Sequence, residues 1–163
     1  MANNGAVNWR NRKVSAGWAF VLATIVGAFA IDYYLTFTEV GIFHGATMAQ
    51  LFQWDWSNVV GRAAFDEGGR AVALGISLHL LVSAVWAAVC VVLVRRVKWL
   101  AEHSIVWGIV FGLIVMCVMR YGVVPLGHAT KPHANALWMA NLICAHTIFF
   151  GVPVALVARG ARV

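Results

Sequence analysis

Four ionisable side chains sit where such groups are rare. Asp32 lies in VGAFAIDYYLTF, His79 in GISLHLLV, Arg120 in IVMCVMRYGV and His146 in NLICAHTIFF, each surrounded almost entirely by apolar residues. A charge held in hydrocarbon is costly, so such groups face a protein interior and mark ligand sites, ion paths or proton relays. Asp32 falls about six residues, and Arg120 about four, before the end of its apolar run; at about 1.5 Å per residue these are depths of roughly 9 and 6 Å. Opposite charges at similar depth predict an Asp32–Arg120 ion pair. His79 and His146 lie deeper, at depths that differ by only about 3 Å, and Asn141 adds an amide to the same half. All five can meet in one polar cluster.

That cluster supports several chemistries. A structural reading makes Asp32 and Arg120 a neutralised pair, or lets Arg120 snorkel to headgroups, with each histidine bonded to a carbonyl or to Ser77 or Ser83. A second makes the cluster a ligand, proton or ion site, using Asp32 and the titration of His79 near neutral pH. A third uses His79 and His146 as axial ligands of a b-type haem. An enzyme is the remaining reading, and it has the least support. The chain has no HExxH, CxxC, GxSxG, paired carboxylates or glycine-rich phosphate loop, so no catalytic residue and no metal site is assigned. Cys90, Cys117 and Cys144 fall in three different apolar runs, where free cysteines behave as small hydrophobes. His128, Lys131 and His133 read as a solvated turn before they read as an anion or metal site. Met116, Cys117 and Met119 read as packing before they read as a copper(I) site.

The elements that must position these residues follow from composition. Of 163 residues, 62% are hydrophobic and 11% charged, against about 25% charged in a soluble domain. Four apolar runs, at about 14–38, 70–94, 104–124 and 135–158, are each long enough to cross about 30 Å of hydrocarbon as a helix. The expected fold is all-α: one transmembrane domain forming a four-helix up-down-up-down bundle, with short connections favouring antiparallel neighbours. The first run is too long for a signal-peptide core and is read as a span. Gly108 and Gly112, in GIVFG, form a small-xxx-small pair suited to close helix approach.

Orientation follows from Lys and Arg. Arg10, Arg12 and Lys13, then Arg95, Arg96 and Lys98, then Arg159 and Arg162 fall on one side of a four-span chain. Five of the six acids, Asp32, Glu39, Asp55, Asp66 and Glu67, fall on the other. The positive-inside rule puts both termini in the cytoplasm of a bacterial inner membrane. The net charge of +6 then reads as a topology signal and a match to anionic lipid, with no nucleic-acid partner.

The one long connection, residues 39–69, is not polar. Met48, Leu51, Phe52, Asp55, Val59 and Val60 recur at helical spacing, and Trp54 and Trp56 favour a membrane interface, so an interfacial amphipathic helix is expected at about 46–64 in the first outer loop. It serves as an anchor or, alternatively, as a lid or partner-docking surface using Phe52, Trp54 and Trp56. Gly68 and Gly69 allow the turn into the second span. Trp18, Trp86, Trp107 and Trp138 offer flat apolar surface to a partner subunit, a lipid, a quinone or another lipophilic molecule.

The stretches GRAAFDEGGRAVALGISLHLLVSAVWAAVCVVLVRR, RYGVVPL and NLICAHTIFFGVPVALVAR resemble a group of small, largely uncharacterised bacterial four-span membrane proteins. These share a histidine in the second span, matching His79, and an AH…FFG.P.A pattern in the fourth, matching Ala145, His146, Phe149, Phe150, Gly151, Pro153 and Ala155. The resemblance covers about residues 60–160 and implies fold and location only. Size also invites comparison with lipoprotein signal peptidases, but those need two late aspartates, and this chain has none after Asp66. The leading expectation is a non-enzymatic subunit or binding module of a membrane complex.

Overall fold

The computed structural model describes residues 14–43, 45–129 and 135–161, and these form helices and turns with no strand among them. Arg10, Arg12, Lys13, Lys131, His133 and Arg162 lie outside the described residues.

Four helices are long and apolar enough to cross a membrane: Ala16–Ile42, Gly69–Arg96, Ser104–Leu126 and Ala136–Ala161, of 27, 28, 23 and 26 residues. They coincide with the four expected runs and extend them by a few residues. Ser15 caps the first, its hydroxyl accepting from the Trp18 amide at 3.3 Å, and Asn135 caps the fourth through the Trp138 amide at 2.8 Å. Each cap satisfies a donor that the helix start leaves unpaired.

The buried core is built from small residues, among them Ala19, Ala23, Ala87, Ala145, Ala155 and Ala158, filled in by Phe111, Val115, Phe150 and Val154. Large apolar side chains such as Phe29, Leu81, Val85 and Ile105 point outward. Small residues inside and bulky ones outside is the packing expected of helices that approach closely in lipid. Gly108 and Gly112 bear out the close crossing read from GIVFG: Gly108 meets the backbone of Gly151 and Val152, and Gly112 meets the His146 carbonyl and Thr147. A Cβ at Gly112 would push the third and fourth spans apart.

Three spans contain a wider, π-helical stretch: Thr36–Ile42, Val118–Val123 and Ala145–Gly151. The last two stop just short of Pro125 and Pro153. Proline has no amide hydrogen and its ring pushes away the carbonyl four residues earlier, so the preceding turn opens. In the first span the Thr38 hydroxyl donates to the Tyr34 carbonyl at 3.0 Å, and this competes with the regular ladder.

Between the first and second spans lies a loop helix, Met48–Val60, followed by a tighter turn of helix, Gly61–Phe65. Thr47 and Gln50 form a reciprocal capping box, with contacts of 2.8 and 3.2 Å. The loop helix packs on the second span at Gly75, where a Cβ would collide with the Phe52 carbonyl. At its far end the His128 amide donates to the Asn58 carbonyl at 2.9 Å. Gly68, at φ 58°, makes the turn into the second span. Away from the loop helix, the Val14 amide donates to the Gly160 carbonyl at 3.0 Å, so the start of the first span meets the end of the fourth.

Candidate functional site

His79 lies one helical turn beyond Gly75, on the face of the second span that the loop helix covers. Its Nε2 is 3.2 Å from Asp32 Oδ1, and its Nδ1 is 3.6 Å from Asp55 Oδ2. Three elements thus deliver a row of carboxylate, imidazole and carboxylate, whose side chains are between 20% and 28% exposed. The Asp55 contact is longer than a hydrogen bond and acts through charge alone. The Asp32 contact is one of charge, and the buried Nε2 makes no hydrogen bond. Burial pushes the Asp55 carboxyl up to about 8, with repulsion from Asp32 adding to it.

Gly112 draws the fourth span inward at His146. The His146 Nδ1 is 2.9 Å from the Leu142 carbonyl, which makes that nitrogen the donor and leaves Nε2 as the ring's acceptor. Arg120 lines the same space, with its guanidinium carbon 5.8 Å from the Trp138 ring centroid and 6.0 Å from that of Tyr121. Its Nε is buried and makes no hydrogen bond.

These side chains converge on a cavity of about 200 Å³ whose remaining wall is largely apolar, from Ile31, Phe52, Trp86, Val115 and Phe150. Asn58 also reaches it. Its amide nitrogen donates to the carbonyls of Trp54 and Asp55, at 3.3 and 3.1 Å, and its Oδ1 is buried and unpartnered.

The structure brings Asp32, His79, Arg120 and His146 together but changes two of the expected relations. Asp32 pairs with His79, and no Asp32–Arg120 bridge forms among the described residues. Equal depth fixes height in the bundle but not rotation about each helix, and in the opened turn Val118–Val123 Arg120 settles over Trp138. Asn141 belongs to a neighbouring cavity, where its amide donates to Thr38 Oγ1 at 3.2 Å and Glu39 Oε1 at 2.7 Å. Of the loop aromatics, Phe52 lines the first cavity and Trp54 lines both. Trp56 lines neither; its Nε1 donates to Glu67 Oε2 at 3.3 Å and ties the loop helix to the following turn.

Asp55 is the residue that sequence reasoning missed. Its signal lay in its spacing, four residues after Leu51 and three after Phe52, on the helix face that carries the buried side chains.

The donor set does not suit an axially ligated haem. An axial histidine gives one nitrogen to iron and the other to a second-shell acceptor, whereas both nitrogens of His79 face carboxylates. At about 200 Å³ the cavity is also too small to enclose a haem macrocycle. Among the described residues no group of three or more His, Cys, Asp or Glu is arranged to hold a metal. The Met116, Cys117 and Met119 set divides, the methionines lining the cavity and Cys117 exposed elsewhere. No protein-family model, curated protein or solved structure matches this chain, and its function is therefore read from the site's own chemistry.

Proposed function

We propose that this chain is a small, non-enzymatic, multi-pass protein of a bacterial inner membrane that works as a binding module. The cavity beneath the loop helix takes the head of a lipophilic molecule that accepts hydrogen bonds, as a quinone carbonyl does. One observation carries the reading: three buried polar atoms make no hydrogen bond, Arg120 Nε, Asn58 Oδ1 and His79 Nε2, the last facing Asp32 Oδ1 at 3.2 Å. They belong to residues that line one cavity whose wall is apolar apart from these side chains, Asp32, Asp55, His146, Ser83 and Thr36. An unsatisfied buried group costs about 1–3 kcal/mol, so a ligand meeting all three gains by satisfying them. Two donors suit carbonyl oxygens, and the Asn58 acceptor suits a hydroxyl. The reading goes with an up-down-up-down bundle and with a loop helix lying amphipathically at the interface, Phe52 and Ser57 buried and Met48 and Val59 exposed.

The test is a titration of the detergent-solubilised protein with a short-chain benzoquinone, following tryptophan fluorescence because Trp54 and Trp86 line the cavity. Saturable quenching is expected, weakened roughly tenfold by His79→Gln or Arg120→Gln, as loss of one hydrogen bond to a charged or buried partner implies. Equal quenching by an alkane-tailed compound without oxygen would overturn the reading.

The Asp55–His79–Asp32 row favours a second reading, proton conduction, because an imidazole between two carboxylates can pass a proton from one to the other. It predicts that His79→Gln lowers proton flux into proteoliposomes at least as far as the background of protein-free vesicles. Flux equal to wild type would remove the row from any such role.

A further inference from the structure

The second cavity, of about 370 Å³, shares Leu35, Leu51, Trp54 and Leu142 with the first, and these residues form the wall between them. Its chemistry is different. Glu39 supplies a carboxylate, Trp54, Phe65 and Trp138 supply aromatic surface, and no basic side chain lines it. Glu39 Oε1 accepts from Asn141, itself buried, at 2.7 Å. Among the described residues Glu39 has no ion pair. Gln50 Oε1 is occupied by the Thr47 amide at 2.8 Å, so Glu39 is the anionic group the cavity offers.

A single carboxylate with three aromatic rings suits one class of ligand. A calcium ion needs six or more oxygen ligands and a magnesium ion an octahedral set, and this wall is too poor in free oxygens for either. A quaternary ammonium spreads its charge over methyl groups that pack against ring faces, and aromatic cages recognise it in this way. Trp138 already receives one organic cation, the Arg120 guanidinium at 5.8 Å, and Arg120 itself does not line this cavity.

We propose that the cavity bounded by Glu39, Trp54, Phe65 and Trp138 binds a quaternary ammonium group. The group belongs either to a choline lipid headgroup or to a free small quaternary ammonium ion. The site is separated from the first cavity by the shared wall, and Asn141, which also donates to Thr38, holds its carboxylate in place.

The experiment uses the full chain in uncharged maltoside micelles, titrated calorimetrically with tetramethylammonium chloride against potassium chloride at equal ionic strength. Saturable binding of tetramethylammonium but not of potassium is expected. Glu39→Gln keeps an oxygen for Asn141 while removing the charge, and it should weaken binding roughly tenfold, as should Trp138→Leu. Quinone quenching should be unchanged in Glu39→Gln, so the two sites fail separately. In phosphatidylglycerol nanodiscs, competition by added phosphatidylcholine assigns the site to a lipid headgroup; absence of competition assigns it to a free quaternary ammonium ion. Equal binding of potassium, or full binding by Glu39→Gln, would overturn the proposal. If Trp138→Leu does not fold, Glu39→Gln decides alone.

Discussion

Asp55 reaches His79 from the loop helix, and its carboxyl is pushed from an ordinary 3.8 up to about 8 by burial first and by Asp32 second. Between those two values the folded chain keeps a proton that the unfolded chain has released. Stability therefore falls as pH rises through that window, and the loss is complete above about pH 8. Asp55→Asn imitates the protonated form and should flatten the fall. The check is the unfolding midpoint in maltoside micelles measured from acidic to mildly alkaline pH: wild type should lose stability across the window and the variant distinctly less. Parallel curves would mean that Asp55 is solvated and not part of the row. At this scale the site was half legible. Asp32, His79, Arg120 and His146 announce themselves as ionisable groups in apolar runs. Asp55 does not, because an acid in a connection reads as solvated until the helix carrying it is seen to be covered. The pairing of Asp32 with His79 was hidden for another reason: residue count along a helix gives depth but not azimuth.

Glycines at helix crossings decide whether these side chains meet at all. Gly75 lets the loop helix settle so closely on the second span that the Phe52 carbonyl occupies the space of a Cβ, and His79 follows one turn later on the same face. The obstacle to a side chain there is backbone, which cannot rotate aside. Gly75→Ala should therefore cost about 1–3 kcal/mol, the usual penalty for overpacking, and should lift Asp55 away from His79. The expected result is a lower unfolding midpoint together with loss of the Asp55-dependent pH slope. A lower midpoint with the slope intact would show that Gly75 matters for packing but not for holding the row. The capping box makes a milder, local case: Thr47→Ala should cost about 1 kcal/mol, seen as faster proteolysis near residue 47 with the spans unaffected. The four spans and the loop helix were readable because apolar length and 3.6-residue spacing are strong signals. The π-helical stretches were not, since an opened turn has no hydropathic signature. Pro125 and Pro153 mark two of them only in retrospect, and the stretch at Thr38 depends on a hydroxyl bond to Tyr34 that composition does not reveal.

Across the whole molecule the scarce charge divides between two ends. Arg95, Arg96, Lys98 and Arg159 gather where the helix Lys98–Glu102 packs near the end of the fourth span and Val14 bonds Gly160. Glu39, Asp55, Asp66 and Glu67 lie toward the loop helix, along with Arg62, Arg70 and Arg120. Orientation responds to Lys and Arg near span ends, hardly at all to acids, so the comparison is between basic residues at the two ends. At the loop-helix end, Arg120 is drawn inward over Trp138, and Arg70 lies 4.0 Å from Glu67. The Arg95–Lys98 turn should therefore weigh heavily in placing that end in the cytoplasm. A carboxyl-terminal green fluorescent protein fusion should fluoresce, and alkaline phosphatase inserted between Gly68 and Gly69 should be active outside the inner membrane. Replacing Arg95, Arg96 and Lys98 together with serine should convert this clean pattern into a mixed one, with both reporters partly active. A triple variant as clean as wild type would show that the basic residues flanking the chain's two ends suffice to orient it. A wild-type fusion with the opposite pattern would invert the bundle, placing the loop helix and both cavities on the cytoplasmic side.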